Sequence, residues 1–324
     1  MVSPTFPPDS PAAMDSAPYL FINAVCHQLE KNRLLKLKRL SGTWVKRAGE
    51  HYEKRREFCF SCCPWADNDR NEGYSLSEDL NASSLLVGDL NPCYDRIIDV
   101  HCSPESSRRI RVSMDELQRV VLPMIASLAT NCIWRYLHLS AHNAEFFNAF
   151  KNSPGFNVLC VRDESQQSRD FVTRQLEMGN VEVLHFCKRE DSFYLHNCEQ
   201  RIQHRKPIPW SEPQKLVETI RTFVSSPRFH VLVVDAAPLP CDFDLFALFL
   251  ERALAGELKP LALFDFTNVS FDERRLCALR PDCREDSEDS VAWRIPHSNE
   301  RVVLSRGGRY MTVVTRLESE IDLI

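Results

Sequence analysis

The sequence predicts an α/β fold preceded by a small helical module. Three observations lead there. Near the N-terminus, large apolar residues recur every four positions, the spacing of one helix face. From residue 113 onward, amphipathic stretches of helical length alternate with short apolar runs of strand length. Those apolar runs can be laid over one another with a leucine or phenylalanine at a common position.

The bulk properties fit this class. A chain of 324 residues, 44% hydrophobic and 26% charged, can bury a sizeable core and is expected to divide into more than one domain. A formal net charge of −5 gives the whole chain no attraction to nucleic acid or anionic lipid. No apolar run reaches bilayer-spanning length, and the N-terminus lacks the basic-then-apolar build of a signal peptide. The thirteen cysteines are therefore expected to be free thiols in a reducing, intracellular compartment, cytoplasmic or nuclear.

Residues 1–17 read as a disordered tail, because four prolines alternate there with small and polar residues. Met14 is a second candidate start. Helix begins at Pro18, which suits a first turn, with Ser16 as a cap. Phe21, Val25 and Leu29 share one face. A second short helix is expected through Leu34, Leu35, Leu37 and Leu40. Ser41-Gly42-Thr43 breaks it, and a third follows with Trp44, Ala48 and Tyr52 four apart. A bundle this small with so many large apolar residues leaves one face for a partner. Lys36, Lys38 and Arg39 point to solvent. The nearby Glu30, Glu50, Glu53 and Glu57, and the absence of interleaved aromatic platforms, argue against nucleic acid.

The stretch "PYLFINAVCHQLEKNRLLKLKRLSGTW" resembles an F-box. Pro18 opens the motif. Phe21, Ile22, Val25 and Leu29 form its first apolar cluster, and Leu34, Leu35 and Leu37 its second. Leu40, Ser41 and Trp44 match its closing hydrophobic-Ser-x-x-Trp. The register from Pro18 to Trp44 has no gap. Leu20 stands where an acidic residue is common, and Arg33 where Asp usually precedes the second cluster. The layout of the chain is similar to the nematode families that join a diverged F-box to a leucine-rich-repeat-like or F-box-associated C-terminal domain. The resemblance implies that these residues, from Pro18 to Trp44, dock on a Skp-type adaptor of a cullin ubiquitin ligase.

Residues 57–112 read as a β-rich connector. "EFCFSCCPW" is a strand that stops at Pro64, "DNDRNEGYSLSEDLNASS" a loop, and "DRIIDVHC" and "RRIRV" two further strands. Residues 113–324 read as an αβ repeat-like (LRR-like) domain or, alternatively, an open parallel sheet. Ser113 and Glu116 form a capping box at the head of "SMDELQRVVLPMIASLA", and Pro123 is expected to kink that helix. Aligning Leu137, Leu159, Leu184, Leu232 and Phe264 gives steps of 22, 25, 48 and 32 residues. The intervening residues then face the other way: His138, Cys160, His185, Val233 and Asp265, followed by Ser140, Arg162, Cys187, Asp235 and Thr267. In a solenoid that row lines the binding surface, so His138, Arg162, His185, Asp235 and Asp265 are the expected target-binding residues. "VVLSRGGRYMTVV" is a hairpin turned at Gly307-Gly308 that closes the array.

No chemistry is expected on this chain. Its nine glycines include no phosphate-cradling pattern, and no nucleophile elbow or H-E-x-x-H occurs. No cofactor is implied. Cys59, Cys62 and Cys63 lack a second pair at zinc spacing, and His185, Cys187, His196 and Cys198 read as sheet-face residues rather than ligands. The acidic stretch 283–290 reads as a solvated loop. The function expected is a substrate-recognition subunit that brings a protein target to the ligase. An interaction module without a ligase link, and an enzyme of unknown reaction, are the alternatives.

Overall fold

The computed structural model describes residues 18–40, 42–63, 73–78, 84–102, 110–136, 144–161, 166–187, 213–235, 241–266, 269–271, 275, 279–281, 284–286, 290–296, 298–307 and 310–317. The expected tail, His138, Arg162, His196 and Cys198 lie outside them.

The described residues form eight helices and one large sheet. Helices α1 (Tyr19–Gln28), α2 (Lys31–Leu37) and α3 (Gly42–Lys54) come first. The sheet strands follow: β1 (Glu57–Cys63), β2 (Gly73–Ser77), β3 (Arg96–Cys102), β4 (Ile110–Arg111), β5 (Ala129–Tyr136), β6 (Phe156–Val161), β7 (Val183–Cys187), β8 (Val231–Asp235), β9 (Leu263–Phe266), β10 (Arg284–Asp286), β11 (Ser290–Arg294), β12 (Glu300–Gly307) and β13 (Tyr310–Leu317). Between them run α4 (114–128), α5 (Ala144–Phe150), α6 (Gln166–Glu177), α7 (Pro213–Val224) and α8 (Phe243–Leu254).

The centre of the sheet is parallel. β1, β3, β5, β6, β7, β8 and β9 lie side by side in chain order without a reversal. Helices α4 to α8 touch one another in the same succession, so they form one layer. A right-handed crossover repeated in one direction produces that arrangement. The C-terminal hairpin β12–β13 pairs antiparallel onto β9, as its Gly-Gly turn suggested.

Burial follows the strand period of two. Phe60, Val100, Trp134, Leu159, Leu184, Leu232 and Phe264 form one cross-strand row, fully buried under the helices. Trp134 is its most crowded member. Its ring centroid lies 4.4 to 6.0 Å from those of Phe146, Phe147, Phe150, Phe156 and Phe171. Offset and edge-on aromatic pairs add specific stabilisation to the area they bury.

Several expectations change. The repeat alignment holds from β6 to β9, but Trp134, not Leu137, pairs with Leu159. The alignment followed leucine identity. The strand instead starts at Ala129, contains Asn131 with positive φ, and runs beside Gly155, where a Cβ would lie 2.0 Å from the Ala129 carbonyl oxygen. The connector over 57–112 is part of the sheet: β1 and β3 extend its parallel centre, and Phe58, Phe60 and Ile97 join its core. The expected loop over 67–84 contains β2, whose Tyr74 and Leu76 alternate into the interior. The acidic stretch 283–290 contains β10, an edge strand, where charge discourages further pairing. Pro123 follows a single π turn over Leu117–Val121, which accommodates its missing N–H. Ser113 and Asp242 cap α4 and α8 by accepting from Glu116 N–H and Leu245 N–H.

Candidate functional site

The helical module has its own core, separate from that of the sheet. Ile22, Cys26, Leu34, Trp44 and Ala48 are buried within it, with Val25, Leu29, Leu37 and Tyr52 packed around them. Ile22 with Cys26, and Trp44 with Ala48, are four apart on their helices; Leu34 is the one buried residue of α2. Much apolar surface remains outside. Leu20 is 77% exposed, Phe21 56%, Tyr19 47%, Leu40 46% and Leu35 44%. Among the described residues only Leu86, Val120 and Leu261 are exposed large apolar side chains elsewhere. Five in so short a segment is a concentration, whereas single exposed leucines are ordinary.

These side chains are held, not loose. The Phe21 ring meets Trp44 edge-on at 6.4 Å. Tyr19 lies under the Arg47 guanidinium at 3.8 Å, and Arg47 pairs with Glu50. Of the residues read from the sequence as adaptor-facing, Pro18, Phe21, Leu35 and Leu40 are exposed. Val25, Leu29 and Leu37 are half-buried. Ile22, Leu34 and Trp44 are interior. Tyr19 and Leu20 were missed, because the motif register drew attention only to its own positions.

The module is joined to the sheet through polar contacts. The last carbonyls of α1 have no intrahelical partner. Arg55 donates to the Cys26, His27 and Leu29 carbonyls. Asn131 Nδ2 donates to the Gln28 carbonyl at 3.0 Å. Arg96 donates to the Leu29 carbonyl at 2.6 Å and, through its other nitrogen, to Thr130 of β5 at 2.8 Å. Cations belong at a helix C-terminus, where the helix dipole is negative. Burial lowers the Arg96 pKa, and burial with Arg96 nearby brings that of Arg55 down to about 10. Glu57, 3.9 Å from Arg96, offsets part of that cost. His51 sits beside this cluster, against the Tyr94 ring at 5.2 Å and 2.7 Å from Asn23 Oδ1. Burial, then the Arg55 charge, lower its pKa to about 4.

The second surface is the sheet face opposite the helices. Its lower row, in register, is Cys59, Asp99, Ile133, Val158, Val183, Val231 and Leu263. Its upper row includes Ser61, His101, Cys160, His185, Val233 and Asp265. Most of these are half-buried, while Cys160 and His185 are nearly covered. No helix lies on this face among the described residues. Sequence reasoning placed Cys160, His185, Val233 and Asp265 in one row, and the register does the same. The apolar row Ile133 to Leu263 went unread, because residues that are core-like in type say nothing of which face they occupy. Burial lowers the His185 pKa to about 4, so it is neutral at pH 7. Asp235 ends β8 and pairs in register with Cys187.

The cysteine pattern divides across the sheet. Cys59 lies on the face away from the helices, and Cys62 is buried on the helix side beside Cys102. Two such residues do not converge on one ion. Among the described residues no group of His, Cys, Asp or Glu is placed to hold a metal, and no helix is long and apolar enough to cross a membrane. Comparison with protein-family models, curated proteins and solved structures gave no match.

Proposed function

We propose that this chain is an F-box-like substrate receptor. The helical module docks on a Skp-type adaptor of a cullin ubiquitin ligase, and the α/β domain holds a protein target. One observation carries the proposal: a module with its own core leaves Tyr19, Leu20, Phe21, Leu35 and Leu40 outside it. A folded unit that can bury apolar side chains and does not is built for a partner. The resemblance of residues 18–44 to the F-box motif names the partner.

The α/β domain supports the second half of the proposal. Parallel strands in chain order with helices in one layer support reading this domain as a repeat-like array, in which the sheet face opposite the helices takes the target. His185 and Asp265 stand on that face, next to the apolar row from Ile133 to Leu263. The target would contact both rows. Tethering it beside the ligase raises its local concentration there.

The test is a direct titration of the full chain with purified Skp-type adaptor. Micromolar or tighter binding, lost on Leu35→Asp with the thermal midpoint unchanged, is the expected result. An adaptor that binds at no concentration removes the ligase reading. The polar clamp from Arg55, Arg96 and Asn131 favours a second reading, in which the module is a fixed cap on the sheet and serves a different partner. Adaptor-independent capture of a partner that Leu35→Asp abolishes would select it.

A further inference from the structure

We infer that the helical module accepts an acidic protein surface, with the exposed Leu20, Leu35 and Leu40 as apolar anchors and the exposed Arg33, Lys36 and Arg39 as the cations that meet its charge. This rests on the docking proposal and adds the chemistry of the partner.

The charge of the chain is unevenly divided. Residues 18–56 contain ten Lys and Arg against three Glu, a net of +7. The whole chain carries −5, which leaves −12 on the remainder. The module is therefore a basic patch on an acidic protein. Much of its positive charge is already committed: Arg47 to Glu50, Lys38 to Glu53, Arg56 to Asp95, and Arg55 to the carbonyls of α1. Arg33, Lys36, Arg39 and Lys46 are exposed and form no ion pair with any described residue. Arg33, Lys36 and Arg39 flank Leu35 along α2 and its C-terminal turn, and Leu40 follows directly. Exposed apolar side chains interspersed along the chain with exposed cations suit an interface with a desolvated centre and an electrostatic rim.

An acidic protein fits better than an anionic membrane. Phe21 and Tyr19 are held against Trp44 and Arg47, so they do not project as an inserting edge would. A bilayer presents a broad negative plane, which the −12 on the rest of the chain opposes. A protein partner can place its acidic groups against the module alone.

The experiment titrates the full chain with purified Skp-type adaptor at about 50 mM and about 300 mM salt, where screening lengths differ about twofold. Lys36→Glu/Arg39→Glu and Leu20→Ser are compared with wild type. The charge-reversed variant is expected to bind about tenfold more weakly at low salt, with the gap closing at high salt. Leu20→Ser is expected to weaken binding at both. All variants keep the wild-type thermal midpoint, because the altered side chains are exposed. Adaptor binding that ignores salt and both variants overturns the inference while leaving the docking proposal intact. No adaptor binding at any salt removes both. Salt-sensitive binding to phosphatidylserine vesicles that exceeds adaptor binding overturns the protein partner in favour of a membrane.

Discussion

The helical module and the sheet domain treat apolar side chains in opposite ways. In the sheet domain the large aromatics converge: Trp134 is ringed by five phenylalanines, and all of them are inside. In the module, Tyr19, Leu20 and Phe21 stand outside a core of five buried residues. The difference is not one of size alone. Leu35 directly follows the buried Leu34, and Leu20 lies two residues before the buried Ile22, yet the fold turns both outward. One region encloses its large apolar side chains, and the other leaves several of them outside. Stability measurements should therefore expose the sheet domain, and binding measurements the module.

The largest expected effect is at the aromatic centre. Trp134→Ala removes a side chain that no solvent reaches and that five rings surround. A cost of about 3–5 kcal/mol is expected in denaturant unfolding, because the helix layer and sheet cannot both close on the cavity. A loss below about 1.5 kcal/mol would mean that this cluster is not the centre of the domain. The equivalent change in the module, Trp44→Ala, should cost less, since Trp44 keeps partial exposure and packs against few neighbours.

Acid should weaken both regions through buried histidines: burial lowers the His27 pKa in the module, and His51 and His185 are shifted furthest. His51 in the module and His185 in the sheet are held neutral, with pKa values near 4 against an unfolded value of about 6.5. Between those values the unfolded chain binds the extra proton and the folded chain does not. Their contribution is therefore complete above about pH 6.5 and is lost as pH falls toward 4. The limit is on the order of 3 kcal/mol per histidine. His51→Asn and His185→Asn should each flatten the profile between pH 6.5 and 5, above the range where most carboxylates titrate. Profiles unchanged by either substitution would show that these rings are already accessible.

Arg96→Met probes the boundary between the regions. It removes the donors shared by the Leu29 and Thr130 carbonyls while filling similar volume. About 2 kcal/mol is expected, from the buried Thr130 carbonyl left without its charged donor, while the Leu29 carbonyl keeps Arg55. The informative result is the shape of the melt. Wild type should unfold in one transition, and the variant in two, with the module first. A single shifted transition would mean that the remaining contacts of Arg55 and Asn131 suffice to couple the units.

The sequence revealed periodicity better than position. The four-residue spacing of Phe21, Val25 and Leu29 and the capping pair Ser113–Glu116 are local signals; the first marks helix α1, whose buried face is Ile22 and Cys26 and which ends before Leu29, and the second caps α4. The strand rows from β6 to β9 were legible because each has a leucine or phenylalanine flanked by alternation. The register of β5 was not, since Asn131 and Gly155 set it through backbone geometry, and no leucine marks the spot. The same holds for β2 and β10, which owe their strands to partners across the sheet. The clamp at the end of α1 was invisible for a related reason. Arg55, Arg96 and Asn131 are ordinary polar residues in sequence and become a joint only when three distant segments meet.

The smallest expected effect distinguishes the two faces of the sheet. Val183 and Leu184 are neighbours on β7, one on the face away from the helices and one in the core. Leu184→Lys would bury an unpaired ammonium beneath the helix layer, and loss of the folded state is expected. Val183→Lys should cost about 1 kcal/mol or less, because the side chain is only half-buried and a lysine can lay its methylenes along Val158 and Val231 while its amine reaches water. That tolerance is what a free binding face requires. A closed two-layer sheet would treat both substitutions alike, since each would place a charge in a dry interior. Thermal melts of the two variants side by side decide the matter. If Val183→Lys unfolds the protein as Leu184→Lys does, the face is covered and target binding must be sought elsewhere. If it folds normally, the same variant carries a charge into the centre of the apolar row and serves directly as the test of target capture.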